Sequence, residues 1–127
     1  IPRPETEIII EEIKKKFQNK KNLLVLDLGT GSGCILLSIL KEFKNATGIG
    51  IDKYSETVKV ARINSKTNNL SKRSKFFKLD WSQKDFFKQV IKNCTHVKFL
   101  FFKTFHYHLS NFFSIKISIS NKTNYKW

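Results

Sequence analysis

A chain of 127 residues suits one domain with a modest core and is short for a large α/β enzyme. Its formal net charge of +14 comes from 24 Lys+Arg against 10 Asp+Glu, a balance that often marks a polyanionic partner. Two cysteines, Cys34 and Cys94, exclude a disulfide framework or a zinc cluster, and no apolar run approaches the length of a membrane span.

The charge does not by itself argue for nucleic acid. Only Arg3, Arg62 and Arg73 are arginines, and the other basic residues are lysines. Lys, Ile, Asn and Phe are all plentiful, as expected of an AT-rich gene, so composition is favoured over a dedicated nucleic-acid face. There is no methionine, and the opening "IPRPETE" reads as the interior of a longer protein. A secretory signal is not present, which predicts a cytoplasmic protein with no membrane association.

In chain order, "PETEIIIEEIKKKF" (4–17) reads as a helix. Pro4 suits a first helical position, Glu5 and Glu7 favour the N-terminal dipole, and Lys14 to Lys16 suit the C-terminal end. After a polar turn over 18–22, "LLVLDL" (23–28) is a nearly all-apolar strand of the kind buried on both faces of a parallel sheet. Three glycines follow, and "CILLSILKEF" (34–43) is a helix with an apolar stripe, on which Cys34 reads as a small core residue.

"TGIGID" (47–52) is a second strand ending in an acid, and "SETVKVARINSK" (55–66) a helix that Ser55 would cap. "SKFFKLD" (74–80) is a third strand, again ending in an acid, and "SQKDFFKQVIK" (82–92) reads as a helix. Alternating strands and helices predict an α/β fold, a parallel Rossmann-like sheet. Right-handed crossovers then bring the carboxyl ends of the three strands to one edge, where ligands of such sheets sit. The glycines, Asp52 and Asp80 all fall on that edge.

Beyond residue 85 the character changes. Residues 86–127 contain no Asp, Glu, Gly, Pro or Ala, yet hold eight of the twelve phenylalanines and all three histidines. "SIKISIS" (114–120) alternates like a strand but lacks punctuating turns. Phe99, Phe101, Phe102, Phe105, Phe112 and Phe113 without acidic gatekeepers predict poor solubility. His96, His106 and His108 have no Cys or acid at metal-ligand spacing, so no metal is expected.

The glycine spacing is G-x-G-x-G, Gly29, Gly31 and Gly33, rather than the G-x-G-x-x-G of a dinucleotide site. Its turn still aims backbone N–H groups at a helix start, which attracts an anion. Asp27 just before it repels a pyrophosphate but attracts an ammonium. A ligand with both a carboxylate and an amino group therefore fits better, and the methionine end of S-adenosylmethionine has both. Asp52, 19 residues after Gly33, suits the two ribose hydroxyls. Asp80 suits the adenine amino group, and the Trp81 indole can lie against the base.

Taken together, "IPRPETE" (1–7), "LDLGTGSGCI" (26–35), "GID" (50–52), "ARIN" (61–64) and "LDW" (79–81) resemble, in order and spacing, the release-factor glutamine N5-methyltransferases. The resemblance covers about residues 1–92 and implies a class I methyltransferase using S-adenosylmethionine. Its implied partner is a peptide-chain release factor, whose GGQ glutamine is methylated. By it, Asp27, Gly29, Thr30, Gly31, Ser32, Gly33, Asp52, Asp80 and Trp81 form the cofactor site of a protein expected to be a monomer.

That family also carries an N-P-P-Y motif after its fourth strand, which aligns and polarises the substrate amide. This sequence has none, because its only prolines are Pro2 and Pro4. No catalytic residue is therefore assigned, and the chain as written is expected to be inactive. The sheet is expected to be incomplete in its C-terminal half, and the family's N-terminal helical domain to be absent before Ile1. Residues 93–127 are an unassigned tail, consistent with a reading-frame change within about residues 82–98. Two alternatives stand beside this reading: an N6-adenine-type nucleic-acid methyltransferase, which also uses N-P-P-Y, and a non-catalytic S-adenosylmethionine-binding remnant.

Overall fold

The computed structural model describes residues 4–17, 23–80, 85 and 99–103. Its elements run α1 (Pro4–Phe17), β1 (Leu23–Leu28), α2 (Cys34–Glu42), β2 (Thr47–Asp52), α3 (Ser55–Thr67), β3 (Ser74–Lys78) and β4 (Phe99–Lys103). The strands form one sheet in the order β3-β2-β1-β4, and every pairing is parallel. This is the expected α/β class. Asp27 lies level with Gly50, and Asp52 with Lys78, so the carboxyl ends of the first three strands share one edge.

Each strand's two-residue alternation sends its side chains to opposite faces. Leu23 and Val25 of β1 join Ile10, Ile13, Phe17, Leu36, Leu40, Val58, Ala61 and Phe76 in one buried cluster under the helices. Leu24, Leu26 and Leu28 take the other face and are also buried, as are Ile49 and Ile51 of β2. An all-apolar strand is what two covered faces require. On the helix face of β2 stand Gly48 and Gly50. A Cβ on Gly48 would lie 2.5 Å from Leu36 Cδ1, so the missing side chain lets α2 sit directly on the strand.

The helices follow from their stripes. Leu36, Leu37, Ile39 and Leu40 of α2 are buried at helical spacing, and Val58, Ala61 and Ser65 of α3 likewise. α2 ends at Glu42 with Phe43 as its C-cap, and a side chain remote in sequence bonds carbonyls in and just after its last turn. The Arg73 guanidinium donates to the carbonyls of Leu40, Phe43 and Ala46 at 2.8, 3.1 and 3.0 Å. Orphan carbonyls at a helix end need such donors, and a planar fork suits three of them. On the surface Lys14 meets Glu42 at 3.2 Å, and this hydrogen-bonded carboxylate raises the lysine's pKa.

Three expectations need correction. Ser55 does not cap α3: it is the first helical residue, and Tyr54, in extended conformation, holds the cap position without a side-chain bond. Asp52 supplies the acceptor instead, its Oδ1 receiving the Tyr54 N–H at 3.1 Å. Cys34 is exposed rather than core, because it opens α2 on the solvent side of the loop. Residues 99–103, which the sequence leaves without an element, pair with β1 from Leu23↔Phe99 to Asp27↔Lys103.

The expected helix over 82–92, Trp81, the three histidines and the alternating stretch at 114–120 lie outside the described residues. Among the described residues no helix is long and apolar enough to cross a membrane, and no group of His, Cys, Asp and Glu could hold a metal ion.

Candidate cofactor site

The loop between β1 and α2 is built from alternating left-handed glycines. Gly29, Gly31 and Gly33 have φ of 71°, 57° and 80°. Residues with a Cβ rarely adopt this region, so glycine at every second position is a backbone requirement. The alternation turns the chain sharply from the strand into α2, whose N-cap is Gly33. The turn delivers the chain to the positive end of the α2 dipole, where the first N–H groups of the helix have no partner within it and suit an anion.

Hydrogen bonds fix the loop from several sides. The Gly29 and Thr30 N–H groups donate to Ile51 O at 2.8 and 3.0 Å, which ties its start to the end of β2. Gly31 N–H donates to Asp52 Oδ2 at 3.1 Å, and Gly33 N–H to Thr30 O at 2.9 Å. From α3, Asn64 Nδ2 donates to Ser32 O at 2.9 Å. From beneath, Asp27 Oδ2 accepts the Thr30 hydroxyl at 3.0 Å, and Asp27 itself is only 1% exposed.

The loop also rests on an aromatic ring. A Cβ on Gly33 would lie 3.1 Å from Phe76 Cζ, and a Cβ on Gly50 2.5 Å from Phe76 Cδ1 and 2.8 Å from Thr30 Oγ1. Phe76 of β3 therefore fills the space that two glycines leave open. Its strand is held to α3 by Arg62, whose guanidinium donates to Phe76 O at 2.7 Å. A Cβ on Gly31, by contrast, would meet nothing within 4 Å among the described residues, which leave this side of the loop open.

Asp52 stands at the centre of the edge and is 4% exposed. A carboxylate offers about four lone-pair positions. Gly31 and Tyr54 N–H groups use one on each oxygen. Two remain, the number that two vicinal hydroxyls need. Beyond Asp52 a cavity of about 430 Å³ is lined by Lys53, Tyr54, Lys78, Leu79 and Asp80. The exposed Tyr54 ring carries Lys53 Nζ 5.1 Å from its centroid. Leu79 N–H donates to Asp52 O at 3.0 Å, which brings the start of the Leu79-Asp80 turn beside the acid.

Of the residues the sequence nominates, Asp27, Gly29, Thr30, Gly31, Ser32, Gly33, Asp52 and Asp80 are gathered on this edge, and Trp81 lies outside the described residues. Several contributors carry no obvious signal. Asn64 belongs to "ARIN" but looks like any polar helix residue, and Phe76 like any strand aromatic. Gly50, two residues before Asp52, was the readable hint, since an isolated strand glycine marks close approach.

Comparison with known proteins agrees with this geometry. The chain matches the family described as "Methyltransferase domain" over residues 19–118. It is 41% identical over 99 residues to a release factor glutamine methyltransferase of Caulobacter vibrioides, covering 76% of this chain and 34% of that protein. A protein of the same description from Flavobacterium psychrophilum is 44% identical over 73 residues, covering 55% and 26%. The chain thus spans about a quarter to a third of the length of the curated relatives it matches. Among solved structures, an RNA methyltransferase from Salinibacter ruber in complex with S-adenosyl-L-homocysteine aligns with a TM-score of 0.57 at 20% identity, over 83% of this chain and 61% of that one, a likeness of fold. The loop, the acid at the second strand end and the family match together place this chain in the methyltransferase-domain family, with release factor glutamine methyltransferases among its relatives.

Proposed function

We propose that this chain is the S-adenosylmethionine-binding part of a protein-(glutamine-N5) methyltransferase that acts on the GGQ glutamine of peptide-chain release factors. The observation that carries the reading is Asp52, with two acceptor positions left for the ribose hydroxyls, bonded to a glycine loop whose Gly31 side is open. The names of the relatives support the substrate class.

In this reading Gly29 to Gly33 shape the pocket for the methionine end, with the carboxylate toward the first N–H groups of α2. Asp27 keeps the loop in shape through Thr30 and adds negative charge beneath the ligand's ammonium. The cavity of Tyr54, Leu79 and Asp80 takes the adenine, with Asp80 accepting from its amino group, and the family resemblance assigns Trp81 to the same base. When bound, the cofactor supplies a sulfonium-activated methyl group. A glutamine amide nitrogen is a poor nucleophile and must be aligned and polarised by acceptors. These 127 residues contain no N-P-P-Y to do so, and the chain alone is proposed to bind cofactor without turning over.

A chimaera tests the reading. Residues 1–80 of this chain replace the matching segment of the Caulobacter vibrioides relative, which contributes the remainder. The chimaera is expected to methylate a release factor glutamine and not RNA or DNA. A chimaera that folds and binds S-adenosylhomocysteine yet methylates only nucleic acid would favour the adenine-methyltransferase alternative.

A further inference from the structure

We infer that Asn64 is a positioning residue for the cofactor loop: its side-chain amide, on the third turn of α3, locks the Ser32–Gly33 peptide and with it the turn that presents the start of α2 to the ligand. The inference rests on the reading of this loop as the holder of the cofactor's amino-acid end, and it adds a residue that the G-x-G-x-G pattern does not contain.

The loop between β1 and α2 has two peptide units whose groups are anchored at both ends. In the Thr30–Gly31 unit, the carbonyl accepts Gly33 N–H at 2.9 Å and the N–H donates to Asp52 Oδ2 at 3.1 Å. In the Ser32–Gly33 unit, the N–H donates to Thr30 O, and the carbonyl accepts Asn64 Nδ2 at 2.9 Å. Asn64 is the only anchor of this second carbonyl among the described residues, and it comes from an element 32 residues away in sequence.

The direction of the bond is settled by its chemistry. A backbone carbonyl only accepts, so the Asn64 amide must present its NH₂. Left-handed glycines have shallow conformational wells, and a peptide with Gly33 on its C-terminal side turns more readily than one between two residues with a Cβ unless both its groups are held. Flipping the Ser32–Gly33 unit turns the Gly33 N–H away from Thr30 O and the Ser32 carbonyl toward it, so two acceptors face each other and the turn into α2 must change shape. The start of α2, whose first N–H groups attract an anion, then loses its fixed position.

Asn64 is itself well placed to hold. Its own carbonyl accepts Asn68 Nδ2 at 2.7 Å, which pins the α3 backbone at that turn. Two positions earlier on the same helix, Arg62 grips Phe76 O, and Phe76 supports Gly33 from below. The helix therefore fixes both the underside and the rim of the loop.

The test uses the 127-residue chain, with Asn64→Leu and Asn64→Ala. Leucine keeps much of the volume and removes the donor without adding charge. Three readouts are taken: amide exchange at Gly33 without ligand, calorimetric affinity for S-adenosylhomocysteine, and affinity for adenosine, which lacks the amino-acid end. Both variants are expected to speed Gly33 exchange and to weaken S-adenosylhomocysteine about three- to tenfold, the range of one hydrogen bond, while adenosine affinity holds. Unchanged Gly33 exchange in both variants overturns the inference, as does a parallel loss of both ligands, which marks a general structural defect. Absence of S-adenosylhomocysteine binding by the unaltered chain would overturn the cofactor reading instead. Gly33 exchange would still decide whether Asn64 holds the loop.

Discussion

Asp52 Oδ2 accepts the backbone N–H of Gly31 at 3.1 Å, so the acid at the end of β2 also fastens the loop after β1. One carboxylate thus shapes the site and faces its ligand. Asp52→Asn retains one acceptor oxygen but replaces the other with a donor, which opposes either the Gly31 or the Tyr54 N–H. S-adenosylhomocysteine affinity should fall about 10- to 100-fold, in line with losing charge-assisted bonds worth about 1.5–3 kcal/mol. Calorimetric titration checks this.

Two glycines should respond differently to alanine. Gly50→Ala drives a Cβ to 2.5 Å from the Phe76 ring, which is held by its neighbours, and overpacking of this kind costs about 1–3 kcal/mol. Gly31→Ala meets no atom within 4 Å but must keep a φ of +57°, at roughly 1 kcal/mol. Urea denaturation should therefore show the larger loss for Gly50→Ala. Gly31→Ala should instead lose mainly ligand affinity, since its Cβ enters the open side of the loop.

Arg73 predicts the converse, a stability defect away from the site. Arg73→Ala removes the guanidinium from the carbonyls of Leu40, Phe43 and Ala46, of which Phe43 O still accepts the Ala46 N–H, and should lower stability by about 2 kcal/mol. Arg73→Lys should recover only part, because an ammonium does not reproduce the fork. Affinity for S-adenosylhomocysteine, measured below the melting transition, should change less than twofold.

Much of this was legible in the chain itself, for identifiable reasons. The strand 23–28 reads from its unbroken apolar run, the helix after it from its stripe, and the ligand edge from glycines and an acid at fixed offsets. What stayed hidden depends on pairings remote in sequence. β4 has no turn punctuation and becomes a strand only by lying parallel to β1. The Asn64–Ser32, Arg73–Leu40 and Phe76–Gly33 relationships join separate elements, and no local pattern marks them. Cys34 and Ser55 misled because helix position was read without the direction of the preceding loop.

The absence of N-P-P-Y from these 127 residues sets a further expectation. Incubated with radiolabelled S-adenosylmethionine and a release factor, the chain should transfer no methyl group above background, even where it binds the cofactor. Turnover by the purified chain would show that other residues can align the glutamine amide.

The central claim is that the G-x-G-x-G loop and Asp52 form an S-adenosylmethionine site. Calorimetric titration of the 127-residue chain with S-adenosylhomocysteine, beside Asp52→Ala, tests it most directly. Saturable one-to-one binding is expected, and Asp52→Ala should abolish it while the variant still folds by circular dichroism. No binding by the folded, unaltered chain, or equal binding by Asp52→Ala, would contradict it.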